Sequence, residues 1–300
     1  MGRVACWGAF VFAVLVVDAN AACPPAGWDE PALARLRAAK FVLPDAAARS
    51  ALADALVADC LADPRPNLRD ELAFEALAAW MRAGALPATQ LDAMRRALTR
   101  RLLADDPSGF TRPFAALTLA EIARVDRLKL FLGSAARDDL LQAAVTYERG
   151  VHDYRGFDPV DGWRHGVAHG ADLLLQLALN PALDRAALDQ IVGAVTTQIA
   201  PPGEHFYIYG ESERLARPIA YVARRGLHDT AFWSTWLAGL ASPAPLPNWD
   251  EAFKTGAGLA RKHNTQAFVQ VLYVMVRESG DAALQQRLLP GLVEALKALP

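Results

Sequence analysis

Apolar residues recur along this chain at the spacing of one helix face, in runs stopped by Pro, Gly or Asp. No stretch sustains the period-2 alternation of β-branched and aromatic residues that a strand needs. That pattern leaves an all-α fold. The runs predict helices near 31–40, 45–62, 68–83, 88–104, 111–125, 137–149, 162–180, 184–199, 211–225, 230–241, 249–261, 264–278 and 281–298. Asp63-Pro64, Gly84, Asp106-Pro107, Pro181, Pro201-Pro202-Gly203, Gly226 and the Pro243–Pro247 run supply the stops.

The spacing of these helices carries a second message. Segments opening at Leu68, Phe110, Gly162 and Glu211 each begin with an Arg-bearing, Ala-rich helix followed by a second helix. Separations of that order match two-helix repeats of the HEAT and armadillo class, about 40–47 residues each. The expected architecture is therefore an array of antiparallel helix pairs in an α-α superhelix, with one helix of each pair on a concave face. A compact α/α bundle or a toroid of helical hairpins is the competing arrangement.

The 300 residues are 53% hydrophobic, enough for a large core in one domain or repeat array. Lys and Arg number 31 against 33 Asp and Glu, interspersed, with a formal net charge of -2. No basic field exists to attract nucleic acid. Arg3 followed by the apolar run Val4–Val17 and the small residues of Ala19-Asn20-Ala21 reads as a signal peptide cleaved after Ala21. Its apolar part is too short to span a bilayer, and no later run is long and uncharged enough to do so. The mature segment, 22–300, is expected as one exported domain, periplasmic or secreted. A lipoprotein acylated at Cys23 is the alternative, weakened by Asn20 where an aliphatic residue is wanted. Cys23 and Cys60 then share an oxidising compartment, as a disulfide or as two unpaired thiols.

The richest stretch for chemistry is 162–174, followed by Leu175 and Gln176. Read as one helix, it places His165, His169, Asp172 and Gln176 within an arc of about 60°. Almost everything around that stripe is apolar or tiny, so the helix should be buried and the stripe must find partners. His165 and His169 at i, i+4 can share a divalent metal such as zinc, with Asp172 a turn further as third ligand. The Glu of a zinc-protease helix is missing, because Gly166 follows His165. Neutral core histidines bonded to Asp172, Gln176 or neighbouring carbonyls fit the same pattern, as does a ligand pocket.

Around the stripe, Asp161 is placed to cap the helix N-terminus. Asp158-Pro159 and Gly156 mark a tight loop in which Arg155 either recognises an anion or pairs with Asp153 or Glu148. Trp163 reads as a stacking surface for a planar ligand or as a core anchor. Glu213 and Arg214 open a later repeat as Arg164 opens its own, and face the stripe if the two helices are neighbours. His228, His263 and Asn264 read as loop or helix-end residues. The sequence contains no nucleophile elbow, phosphate loop or dinucleotide fingerprint.

Leu61-Ala62-Asp63-Pro64 with Arg69-Asp70-Glu71-Leu72-Ala73-Phe74, Phe110-Thr111-Arg112-Pro113-Phe114, Asp153-Tyr154-Arg155-Gly156-Phe157, the Trp163–His165–His169–Asp172 segment and Glu213-Arg214-Leu215-Ala216 together resemble the bacterial family DUF2785. The resemblance runs over about 50–225. It implies one all-helical domain and marks which residues travel together, and it brings no activity. Two readings follow. In the first, an exported helical-repeat protein binds a peptide, a protein or an envelope small molecule in a groove lined by His165, His169 and Asp172. In the second, a hydrolase-like enzyme works at the same place, by His/Asp acid–base chemistry or with a metal.

Overall fold

The computed structural model describes residues 23–300, and the expected signal segment 1–21 lies outside them. In chain order the described residues form α1 (Glu30–Ala38), α2 (Ala46–Ala55) with a π-helical turn (Leu56–Cys60), α3 (Pro66–Leu68), a second π-helical turn (Arg69–Phe74) and α4 (Glu75–Arg82). Next come α5 (Ala88–Leu102), α6 (Thr111–Leu128), α7 (Ser134–Arg149), a hairpin of β1 (Phe157–Asp158) and β2 (Gly162–Trp163), and α8 (Gly166–Ala178). The chain ends with α9 (Arg185–Ile199), α10 (Glu211–Arg224), α11 (Thr230–Ala241), a 3-10 turn (Trp249–Lys254), α12 (Gly256–Arg277) and α13 (Ala282–Ala298). The chain is all-α in class, with one two-stranded hairpin.

Local chemistry fixes many of the starts. Asp29, Asp45, Asp184, Asp229 and Asp281 each cap a helix by accepting a first-turn N–H, and Thr255 does the same for α12. Thr255 also explains a correction to the sequence reading. Two helices were expected over 249–261 and 264–278; instead a 3-10 turn precedes one long helix starting at Gly256. His263 and Asn264 therefore lie inside α12. Asn264 is buried there, accepting from the Tyr207 N–H and donating to the His205 carbonyl, so it holds a distant loop.

Two rows of helices enclose the core. α4 packs on α6, α6 on α8, α8 on α10 and α10 on α12; behind them α5 packs on α7 and α7 on α9. The helices of the first row, counting α3 through α4 as one, open at Pro66, Thr111, Gly166, Glu211 and Gly256, which are 45, 55, 45 and 45 residues apart. The one long interval contains the β1–β2 hairpin.

That hairpin corrects the reading of 162–180 as a single helix. Phe157 pairs with Trp163 and Asp158 with Gly162, and α8 begins only at Gly166. His165 occupies the N-cap position with φ 55, a left-handed conformation costing a non-glycine residue about 1–3 kcal/mol. Asp161 is not the cap: its carboxylate pairs with Arg164 at 3.0 Å. Asp158 closes the hairpin turn, accepting from the Val160 and Asp161 N–H groups.

Near the N-terminus Cys23 and Cys60 form a disulfide across 37 residues of sequence. Arg65 reinforces it, donating to the Cys23 carbonyl while its guanidinium pairs with Asp63 and Glu30. Closing a loop of this length lowers the entropy of the unfolded chain. Reduction, or Cys23→Ser, is expected to lower stability by about 2–4 kcal/mol, measured by urea melts with and without reductant; identical midpoints would show that the bond contributes nothing.

Candidate functional site

The site is assembled around one buried cation. Arg69 is fully buried in the π-helical turn, and all its polar capacity is used. Its Nε donates to Asp70, Nη1 to the Asp63 and Pro64 carbonyls, and Nη2 to the Asp161 and Trp163 carbonyls at 2.8 and 3.5 Å. The guanidinium also lies over the rings of Phe110 (4.0 Å) and Phe114 (4.8 Å). One side chain thus ties the 63–64 loop, α6 and the hairpin together. Gly162 makes this approach possible: a Cβ there would stand 2.9 Å from Pro66 Cβ and 3.1 Å from Arg69 Nη2.

Beside Arg69 opens a cleft of about 390 Å³, lined by Asp70 and Phe74 from the π-helical turn, Phe114 and Leu117 from α6, Trp163, His165 and His169, and Tyr209, Gly210, Glu213 and Arg214. Each contributing segment sits at the start of a first-row helix. Trp163 stacks on His165 with centroids 4.8 Å apart, and Tyr209 meets Trp163 edge-on. His169 lies 5.8 Å from His165 and edge-on to Phe114. Tyr209 reaches the hairpin because residue 156 is glycine; a Cβ would fall 2.0 Å from the Tyr209 ring.

Both imidazoles are neutral. Burial, then the nearby Arg214 charge, lowers His165 to about 4. Burial, then His165 and Arg214, drives His169 well below the usual histidine range. His165 Nε2 and His169 Nδ1 are buried with no hydrogen-bond partner, although His165 is only 8% exposed and His169 6%. The backbone of Tyr209 lies beside His165 and that of Pro113 beside His169, each opposing the loss of the ring's proton.

The residues singled out from sequence do not all meet here. Trp163, His165, His169, Glu213 and Arg214 do. Asp172 stands behind Arg214, paired with it at 2.5 Å between α8 and α10, and its pKa is raised because burial outweighs that pairing. Gln176 is turned away, accepting from Arg127 Nε. Trp163 is neither a helical residue nor a core anchor: it is 37% exposed on β2. Arg155 is held by Asp153 and faces a separate cleft of about 750 Å³ shared with Arg65, Asp161 and Arg164. Asp158 belongs to the hairpin turn. His228, in the loop before α11, is buried against Asp189 at 2.5 Å. The cleft is also lined by Asp70, Phe74, Phe114 and Tyr209, which the sequence does not single out as site residues; the first three lie in the motifs Arg69–Phe74 and Phe110–Phe114, and Tyr209 lies in the loop that feeds α10. Among the described residues no group of three His, Cys, Asp or Glu side chains is placed to hold a metal ion; of the His165–His169–Asp172 set, Asp172 is paired with Arg214.

A further buried acid lies behind α8. Glu148 is fully buried, neither carboxyl oxygen has a partner, and burial, then Asp172, raises its pKa well above the carboxylate range. Gly170 accommodates it: a Cβ there would meet Glu148 Oε2 at 1.9 Å.

No helix among the described residues is long and apolar enough to cross a membrane. The family model described as "Protein of unknown function (DUF2785)" matches residues 100–274, a span running from α5 to α12 and lying further along the chain than the 50–225 read from sequence. No curated protein and no solved structure matches the chain.

Two outcomes follow from this geometry. Arg69→Ala leaves Asp70 and four carbonyls without their donor and is expected to cost about 3–5 kcal/mol, with the near-ultraviolet signal of Trp163 altered; an unchanged denaturation midpoint would refute the clamp. The pH dependence has two opposed parts. Between pH 6.5 and 4 the unfolded chain takes up protons on His165 and His169 that the native chain refuses, so stability rises with pH by up to about 1.4 kcal/mol per unit per histidine. Glu148 acts oppositely: the native state keeps a proton that the unfolded state loses above the usual carboxylate range, so its contribution falls as pH rises. Glu148→Gln should therefore stabilise at pH 8 much more than at pH 4.5, in urea melts at both values; equal effects would show an ionised, solvated Glu148.

Proposed function

The chain belongs to the DUF2785 family, and from its site we propose that it is a ligand-binding helical-repeat protein that works outside the cytosol. The architecture we infer is a HEAT- or armadillo-like stack of helix pairs. The 45-residue interval between first-row helices, and the packing of each on the next but one in sequence, support it. In such arrays an insertion within one repeat maps to a loop on one face, often the binding face. Here the long interval carries the hairpin that delivers Trp163 and His165 to the cleft. The Cys23–Cys60 bond and the apolar segment after Arg3 support export to an oxidising compartment.

The observation that carries the binding reading is a cleft of about 390 Å³ in which the partly exposed Trp163 and Tyr209 meet the two neutral imidazoles, His165 and His169. They also argue against acid–base catalysis. A general base works best with a pKa near the operating pH, and His165 at about 4 and His169, held by burial well below the usual histidine range, are weak bases at neutral pH. A hydrolase-like reading retains one supporting observation: Asp70 and Glu213 line the same cleft, and burial, opposed by Arg69, holds the Asp70 carboxyl above its ordinary range. The ligand we expect is a small component of the cell envelope rather than a folded protein, because the cleft is at the lower end of ordinary small-molecule pockets, about 300–1,000 Å³.

A heat-cleared, protein-free extract of a bacterial envelope should raise the Tm of the mature protein and leave Trp163→Ala unmoved. Trp163 is half-exposed, so its loss is not expected to unfold the chain. Equal shifts in both proteins would place binding elsewhere, and no shift in either would count against a binding function.

A further inference from the structure

The second cleft, of about 750 Å³, takes its walls from the 62–65 loop, the turn before α6 and the hairpin, and three guanidiniums line it: Arg65, Arg155 and Arg164. Each is held by a carboxylate of its own, Asp63, Asp153 and Asp161 in turn. Arg65 spends its donors on Asp63, Glu30 and the Cys23 carbonyl. The other two keep donors in reserve. Asp153 takes only Nε and Nη2 of Arg155, and the Ser108 carbonyl and Asp161 take Nε and Nη2 of Arg164. Nη1 of each has no acceptor among the described residues. The two side chains are packed into place. Arg164 is only 11% exposed and lies over the Phe110 ring at 4.2 Å. Both converge on Gly109, where a Cβ would stand 2.6 Å from Arg155 Nη2 and 3.2 Å from Arg164 Cδ. The way in is open, since the Arg155 side chain is 53% exposed.

Thr111, the first residue of α6, lines the same cleft, and its hydroxyl and N–H are likewise without an acceptor among the described residues. The helix dipole favours negative charge at that end. The carboxylates close by are turned to the protein's own donors: Asp63 to Arg65, and Asp106 to Ser108, Gly109 and Arg112. The cleft therefore holds a surplus of placed donors over acceptors. An oxyanion carries the complementary set, with several acceptor oxygens in a geometry that a guanidinium fork matches.

We propose that this cleft binds a small organic anion, its carboxylate or phosphate bridging Arg155 and Arg164 beside Thr111. The site is separate from the Trp163 cleft and does not depend on the binding reading above. Asp153 and Asp161 act as positioning groups: they fix the two guanidiniums before the ligand arrives, so less side-chain freedom is lost on binding. The volume leaves room for the rest of the molecule.

The test uses the full mature chain, disulfide intact and 15N-labelled at arginine, at pH 7. Ionic strength is held constant with sodium chloride to remove general screening. Glycerol 3-phosphate, galacturonate and neutral glycerol are titrated separately. At least one of the two anions should shift the Nε signals of both Arg155 and Arg164, and which one does so tells phosphate from carboxylate. Glycerol should shift neither. Affinity should fall about tenfold in Arg155→Gln, equivalent to about 1.4 kcal/mol. Arg155→Lys should recover only part of it, since it restores the charge without the fork. Trp163→Ala should bind as the unaltered chain does. Silence with both anions at about 1 mM, equal affinity in Arg155→Gln, or shifts with glycerol alone would each overturn the proposal. A loss of binding in Trp163→Ala would move the anion to the other cleft and overturn it too.

Discussion

Everything near the cleft hangs on the burial of one guanidinium. Moving a cation out of water is costly unless every donor is engaged and a counter-charge lies beside it. Arg69 meets both conditions, and it does so with groups from three separate places in the chain. The acceptors are mainly backbone carbonyls, which are fixed in space by the chain itself. The planar fork of arginine suits this role better than a lysine, which offers a point charge on a flexible stem. Phe110 and Phe114 complete the cage, and the same Phe114 then supports His169. The π-helical turn that carries Arg69 is the local irregularity that such a function explains, since π-bulges in helices gather at functional sites.

The packed helices supply the frame and the hairpin supplies chemistry. First-row helices present their starts side by side, and four segments at such starts furnish the cleft. The hairpin between α7 and α8 adds the one indole and the strained His165 that turn a surface into a pocket. His165 is held in its left-handed conformation from both sides, donating its N–H to the Arg155 carbonyl and accepting the His169 N–H.

Much of this was legible in the sequence. Helical periodicity and its breakers give the all-α class, and the recurring Arg-bearing helices give the order of the first row. Of the polar stripe, His165 and His169 reach the cleft, where Arg214 of α10 joins them. The details that differ have physical causes. The residues from Gly162 to His165 carry a helix-like pattern, but Gly162 takes a positive φ and Arg69 captures the local carbonyls, so the chain forms a strand and a turn. Gln176 shares the stripe's angle, yet it lies about two turns beyond His169 along α8, where Arg127 claims it. The joining of Asp70 and Tyr209 to one pocket is a tertiary fact; no local spacing encodes a contact over that distance in sequence.

The loop after Cys60 connects two features described separately. The disulfide anchors it at Cys60, Asp63 grips Arg65 beside the Cys23 carbonyl, and the Asp63 and Pro64 carbonyls are two of the acceptors of Arg69. The Cys23–Cys60 bond and the wall of the cleft are thus consecutive links of one mechanical chain. A protein folded with its cysteines reduced would keep its helices and present a slacker wall to any ligand. Oxidation of the two cysteines therefore bears on the wall of the cleft as well as on the N-terminal segment.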